Sequence, residues 1–133
     1  MNTILMFFIT FGVFLIIDLI WLGVIARTFY QNQIGHLMAK NVNWIAAISF
    51  YVLFIIGLLV FVINPAIAAD SVIRALLLGG FFGFIAYATY DLTNLATLKD
   101  WPLLVTVVDL AWGTALGALT SGLSYLLIQA LVL

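Results

Sequence analysis

Cysteine is absent from the 133 residues, which excludes disulfides, thiolate catalysis and thiolate metal ligation. Histidine occurs once, at His36, and leaves no pair to clasp a haem within one chain. Charge is scarce as well, with four Lys and Arg against five Asp and Glu. Four cations form no basic patch, so nucleic acid is not an expected partner. A soluble domain carries about 25% charged residues, and at 7% this chain has no means of covering a core in water. What it holds instead is apolar: 67% of residues are hydrophobic and the mean hydropathy is +1.33. An integral membrane protein follows. The leading Met1-Asn2-Thr3-Ile4 lacks a cationic segment, Asp18 interrupts the first apolar stretch, and no small-residue cleavage site follows it. That stretch therefore reads as a permanent helix and not as a signal peptide.

A bilayer core needs about 20 apolar residues in helix. Four segments qualify: residues 3–25, 44–63, 72–95 and 102–132. Unbroken apolar runs argue for helices, because barrel strands would alternate. The expected architecture is all-α, a polytopic four-helix transmembrane bundle forming one domain over residues 1–133. The third and fourth helices form a tight antiparallel hairpin, with Asp100 as an N-cap ahead of Trp101-Pro102. In the first connection Tyr30, Ile34, Leu37 and Met38 recur at helical spacing, while Gln33, His36 and Lys40 lie on another face. That pattern points to a short interfacial helix. Arg27, Lys40 and Lys99 fall in the first and third connections and Arg74 in the second, so the positive-inside rule places both termini outside.

Three aspartates lie inside the apolar segments: Asp18, Asp91 and Asp109. A carboxyl near a bilayer centre costs roughly 2.5–3.5 kcal/mol on insertion scales, so three of them in so uncharged a chain call for a shared purpose. Asp18 lies seven residues before Ile25, Asp91 five before Ala96, and Asp109 seven after Pro102. At about 1.5 Å per residue all three sit roughly 7–11 Å inside the same membrane face. Two rows of mostly small residues support a close approach: Gly79, Gly83, Tyr87 and Asp91 on the third helix, and Asp109, Gly113, Gly117 and Ser121 on the fourth. Small residues four apart form a ridge on which two backbones meet closely. Each aspartate also has a partner three residues on, namely Trp21, Asn94 and Trp112. Buried Trp and Tyr seek an acceptor that a carboxylate supplies.

The candidate ligand-binding set is therefore Asp18, Trp21, Tyr87, Asp91, Asn94, Asp109 and Trp112, with Arg27, His36 and Lys40 at its mouth. Carboxyls this close in a low dielectric cannot all ionise, so a shared proton is expected. Three uses compete. One is binding or transport of a small cationic, amphipathic or lipid ligand. A second is an embedded enzyme acting on a lipid or isoprenoid head group through paired carboxyls. In the third the aspartates are structural, holding together an assembly or partner-binding protein. Asp91, Asn94, Asp100 and Asp109 offer oxygens to a hard cation, but at no recognised spacing, and neither a metal site nor a cofactor is expected. The expected partners are the lipid bilayer, a small-molecule or lipid ligand, and further copies of the chain in a homo-oligomer joined through the glycine-rich faces.

Several phrases resemble a known family. They are Asp18-Leu19-Ile20-Trp21-Leu22-Gly23, then Phe29-Tyr30 and Ile34-Gly35-His36-Leu37. After them come Tyr87-Ala88-Thr89-Tyr90-Asp91-Leu92-Thr93-Asn94-Leu95-Ala96-Thr97-Leu98, Trp101-Pro102 and Val108-Asp109-Leu110-Ala111-Trp112-Gly113-Thr114. Together they resemble a family of small bacterial four-helix membrane proteins known as domain of unknown function 2177, along essentially the whole chain. The resemblance implies a multi-pass protein of the bacterial inner membrane and assigns no reaction, substrate or cofactor.

Overall fold

A computed structural model describes residues 2–132; the expected domain ends, Met1 and Leu133, lie outside the described residues. The chain forms α1 (Thr3–Ile20), α2 (Arg27–Ile34), α3 (Trp44–Leu58), α4 (Asn64–Ala68), α5 (Val72–Thr97) and α6 (Leu103–Val132). Wide π-helical turns at Trp21–Ile25 and Leu59–Ile63 prolong α1 and α3, and a 3-10 turn at Gly35–Leu37 follows α2. Four helical runs are long and apolar enough to cross a membrane: Thr3–Ile25, Trp44–Ala68, Val72–Thr97 and Leu103–Val132. Among the described residues no strand occurs. Side-chain caps start three of the spans. Asn2 Oδ1 accepts from the Ile4 N–H at 2.7 Å, Asn43 Oδ1 from Ala46 at 3.1 Å, and Ser71 Oγ from Arg74 at 3.1 Å.

The second span runs five residues past its expected end at Ile63, through Pro65 to Ala68. Proline lacks the N–H a helix needs and normally stops it. Here the preceding turn widens so that the Asn64 N–H bonds back to the Leu59 carbonyl, and the helix resumes beyond the proline. It then ends at Asp70, which takes φ 50°. The Ser71 N–H reaches the Ala66 carbonyl and the Asp70 N–H the Ile67 carbonyl, each at 3.1 Å, the paired bonds of a left-handed helix stop. Asp100 departs from expectation. It takes φ 63° in the turn after α5, three residues ahead of the first residue of α6, and does not stand as that helix's cap.

The hairpin of α5 and α6 is the most closely packed pair of the bundle, and α1 lies against α6. Gly79, Gly83, Gly113 and Gly117 are all buried in that hairpin. A Cβ built on Gly83 would run into the Gly113 carbonyl, and one on Gly117 into the backbone of Gly79. The glycine rows are thus consumed inside one chain, which removes them as the expected contact between copies. Phe14, Ile55, Leu58 and Leu116 form the dry centre of the core. The second span approaches α5 chiefly through Leu59–Ile63. Its Trp44 end stands off, and the space left at that end is where the polar residues gather.

Candidate functional site

The depth count from sequence brings three carboxyls to one layer, and the structure places them together. Asp91 is fully buried on α5 and faces Asp109 on α6. Asp18 on α1 is buried alongside Trp112 of α6. The two small-residue rows account for the first approach, since backbones touching at Gly83 and Gly113 carry the residues beyond them into contact.

Tyr30 joins the carboxyls to the aromatics. Its hydroxyl donates to Asp109 Oδ1 and accepts from the Trp21 indole N–H at 3.2 Å. Trp21 in turn stacks on Trp112, with ring centroids 4.4 Å apart and planes 8° from parallel. The wide turn at Trp21–Ile25 rotates the end of α1 so that Trp21 faces α6 and the chain folds back into α2. Such turns often occur at functional positions. Burial pushes the Tyr30 phenol above its ordinary value, and its hydrogen bond to Asp109 and the charge of that carboxylate act in the same direction. The phenol therefore stays a neutral donor across the physiological range.

A cavity of about 500 Å³ opens beside this array. Its polar lining comes from Asp18, Asp109, Tyr30, Tyr51, Tyr87 and Tyr90, with Phe50 and Trp101 adding aromatic faces. Tyr87 stands close to both Asp18 and Asp109. Trp101 packs edge-on to Tyr90 with centroids 5.7 Å apart, and its N–H is held by Thr106 at 3.1 Å. Ile34 and Met38 complete the wall contributed by the first connection. The expected amphipathic helix is present only as far as Ile34: α2 carries Tyr30 and Ile34, and Met38, in extended backbone beyond the 3-10 turn, closes over the cavity with them, whereas Leu37 does not line it.

Of the residues expected at the site, Asp18, Tyr87 and Asp109 line the cavity. Trp21, Asp91 and Trp112 stand directly behind them, and half-buried Asn94 faces the Tyr90 phenol one turn earlier. Arg27, His36 and Lys40 are exposed and do not line the cavity. Sequence reasoning missed Tyr30, Tyr51, Tyr90, Phe50 and Trp101 as lining residues. A usable signal existed for Tyr51, which lies seven residues inside Trp44 and so falls at the aspartates' depth. Among the described residues of this site, both oxygens of Asp91 and the indole N–H of Trp112 have no protein partner, and the same holds for the buried hydroxyls of Thr120, Ser121 and Ser124 further along α6. Asp18 lies beside that indole without the alignment of a hydrogen bond. Among the described residues no three His, Asp or Glu side chains are grouped to hold a metal.

A family model described as "Predicted membrane protein (DUF2177)" matches residues 3–126. No curated protein and no solved structure matches the chain.

Proposed function

The chain belongs to the family of membrane proteins called domain of unknown function 2177, and we propose that it binds a small cationic ligand in the cavity between α1, α2, α3, α5 and α6. The observation that carries this reading is the lining. Two carboxyl groups and four tyrosines face one cavity, and no Lys, Arg or His among the described residues lines it. A cation satisfies both features, pairing with carboxylate and lying over aromatic faces, where the attraction is about 0.5–2 kcal/mol per ring. Leu22, Met38 and Phe50 on the rim are exposed and apolar, which suits a ligand arriving from the bilayer.

The test is a tryptophan-fluorescence titration in lipid nanodiscs with tetramethylammonium as the probe, because Trp21, Trp101 and Trp112 surround the site. Saturable quenching in the wild type that Asp109→Asn weakens at least tenfold supports the reading, that factor being about 1.4 kcal/mol. Quenching that is absent or linear overturns it. Native mass spectrometry of protein extracted with its own lipids would then weigh the natural occupant.

One observation favours a second use of the same residues. Asp91 and Asp109 face each other, and a shared proton would give Asp91 the partner it otherwise lacks. Such a pair can release a proton as a cation enters, which is the requirement for proton-coupled transport. It can also act as acid and base toward a lipid or isoprenoid head group. Residence in a bacterial inner membrane rests on the family resemblance, and a homo-oligomer would have to use faces other than the glycine rows.

A further inference from the structure

Asp18, Asp109 and the tyrosines account for a ligand's head, and the space next to them has a different character. Along the seam between α5 and the Leu59–Ile63 turn runs a groove of about 400 Å³. Phe61, Val62, Leu78, Phe82 and Ile85 line it, and so does Ala86. Ala86 also lines the carboxyl cavity. Ala86 therefore stands between the two spaces, with a polar lining on one side and an apolar one on the other. Between positions 86 and 78 the helix rises about 12 Å, away from the aspartates and toward the opposite leaflet. Phe61 and Phe82 stack on each other with ring centroids 6.4 Å apart and planes 24° from parallel, so together they form one aromatic wall of the groove.

We infer that the ligand of the carboxyl cavity is a single-chain amphiphile, whose cationic head sits among Asp18, Asp109 and the tyrosines and whose alkyl chain passes Ala86 into the groove between α5 and the Leu59–Ile63 turn. This deepens the binding reading and rests on it. A compact inorganic cation would occupy only part of the cavity of about 500 Å³ and leave the groove to bulk lipid. A two-chain lipid would need a second groove bordering the cavity, whereas Ala86 borders one. The splayed Trp44 end of α3 gives lateral access, since this span meets α5 chiefly further along. A chain entering from the bilayer gains nothing from leaving water. Its advantage lies in close packing between fixed walls, the force that also joins helices in membranes.

A decyltrimethylammonium carrying a diazirine at the end of its chain tests the placement in nanodiscs of the full chain. After photolysis, peptide mapping reads where the chain end lay. The inference expects labelling concentrated at Phe61–Val62 and Leu78–Phe82, with loss of that labelling when excess tetramethylammonium occupies the head site. Labelling spread evenly over the lipid-facing sides of all four spans overturns it. Groove labelling that tetramethylammonium does not displace also overturns it, because the chain would then sit there without the head. The fluorescence titration separates the two readings: if tetramethylammonium binds but the chain is not found in the groove, the head site stands and only the tail site falls.

Discussion

Gly83 sets how closely α5 and α6 approach, and Gly83→Ala is the sharpest test of the packing that positions the site. A Cβ at this position would collide with the Gly113 carbonyl oxygen, and would lie 2.9 Å from the Gly113 carbonyl carbon and 3.2 Å from the Gly117 Cα. All three are backbone atoms, so no side chain can turn aside and the helices must separate. Overpacking of this kind costs about 1–3 kcal/mol, against which the better helix propensity of alanine returns up to ~1 kcal/mol. Gly80 is the matched control. A Cβ there meets Ala118 Cβ, Thr114 Cγ2 and the Thr114 carbonyl, each at 3.6 Å, which is ordinary contact. Gly80→Ala should therefore be neutral or slightly stabilising, and the two variants should differ by roughly 1–3 kcal/mol in reversible unfolding in mixed micelles. Because the same approach holds Asp91 against Asp109, Gly83→Ala should also weaken tetramethylammonium binding while Gly80→Ala does not. Equal stability of the two variants would refute the account.

The stacked pair of Trp21 and Trp112, at 4.4 Å and 8°, should produce an exciton couplet in circular dichroism. Trp21→Phe should abolish it, and Trp44→Phe should leave it intact. The Tyr30 phenol, raised by burial and then by Asp109, should remain protonated through the ordinary tyrosine range near pH 10. Its neutral form is favoured by the fold, so its contribution to stability is fully present below that range and is lost as pH rises through the higher folded value. Tyrosinate absorbance of the wild type minus that of Tyr30→Phe should stay flat up to pH 10, and a normal step there would contradict the buried donor. At the opposite membrane face Tyr125 donates to Asp70 at 3.2 Å. Loss of this bond in Tyr125→Phe should cost about 0.5–1.5 kcal/mol in unfolding and leave the tetramethylammonium titration unaltered.

Counting residues from the ends of each apolar run was enough to bring Asp18, Asp91 and Asp109 to one depth, because a transmembrane helix has a fixed rise and little freedom to bend. The pairing of glycine rows followed from their period of four and correctly joins α5 to α6. What a count of depth cannot see is rotation and return. Tyr30 lies in a connection, and it reaches Asp109 only because the wide turn at Trp21–Ile25 sends α2 back across the end of the bundle. The stripe of Tyr30, Ile34 and Met38 was legible as an amphipathic face, but its apolar side meets the cavity where an interfacial helix would meet lipid. The run through Pro65 failed for a related reason, since the rule that proline ends a helix assumes a regular ladder and the Leu59–Ile63 turn is not regular. Asp100-Trp101-Pro102 was read as a helix start from its composition, yet the left-handed backbone at Asp100 belongs to the turn before α6.

Two explanations of the aspartates make different demands on their surroundings. Polar groups retained to hold helices together are held in place by the bonds they make, and buried polar atoms in folded proteins are overwhelmingly paired. Asp109 meets that demand through Tyr30. Asp18 lies beside a misaligned indole, and Asp91 has no protein donor on either oxygen although it is the most deeply buried of the three. As interhelical glue the cluster is poorly saturated, and the glycine contacts already hold α5 to α6 without it. As a binding site the same deficit is useful, because acceptors left without donors are those a cation or a proton can occupy. The Asp91→Asn variant separates the two. A structural aspartate replaced by asparagine should cost stability and leave any ligand affinity untouched. A residue that shares a proton with Asp109 should instead change how tetramethylammonium binding depends on pH, since the carboxamide cannot take up or release that proton. Stability lost with the pH profile of binding unchanged would return the aspartates to a purely structural role.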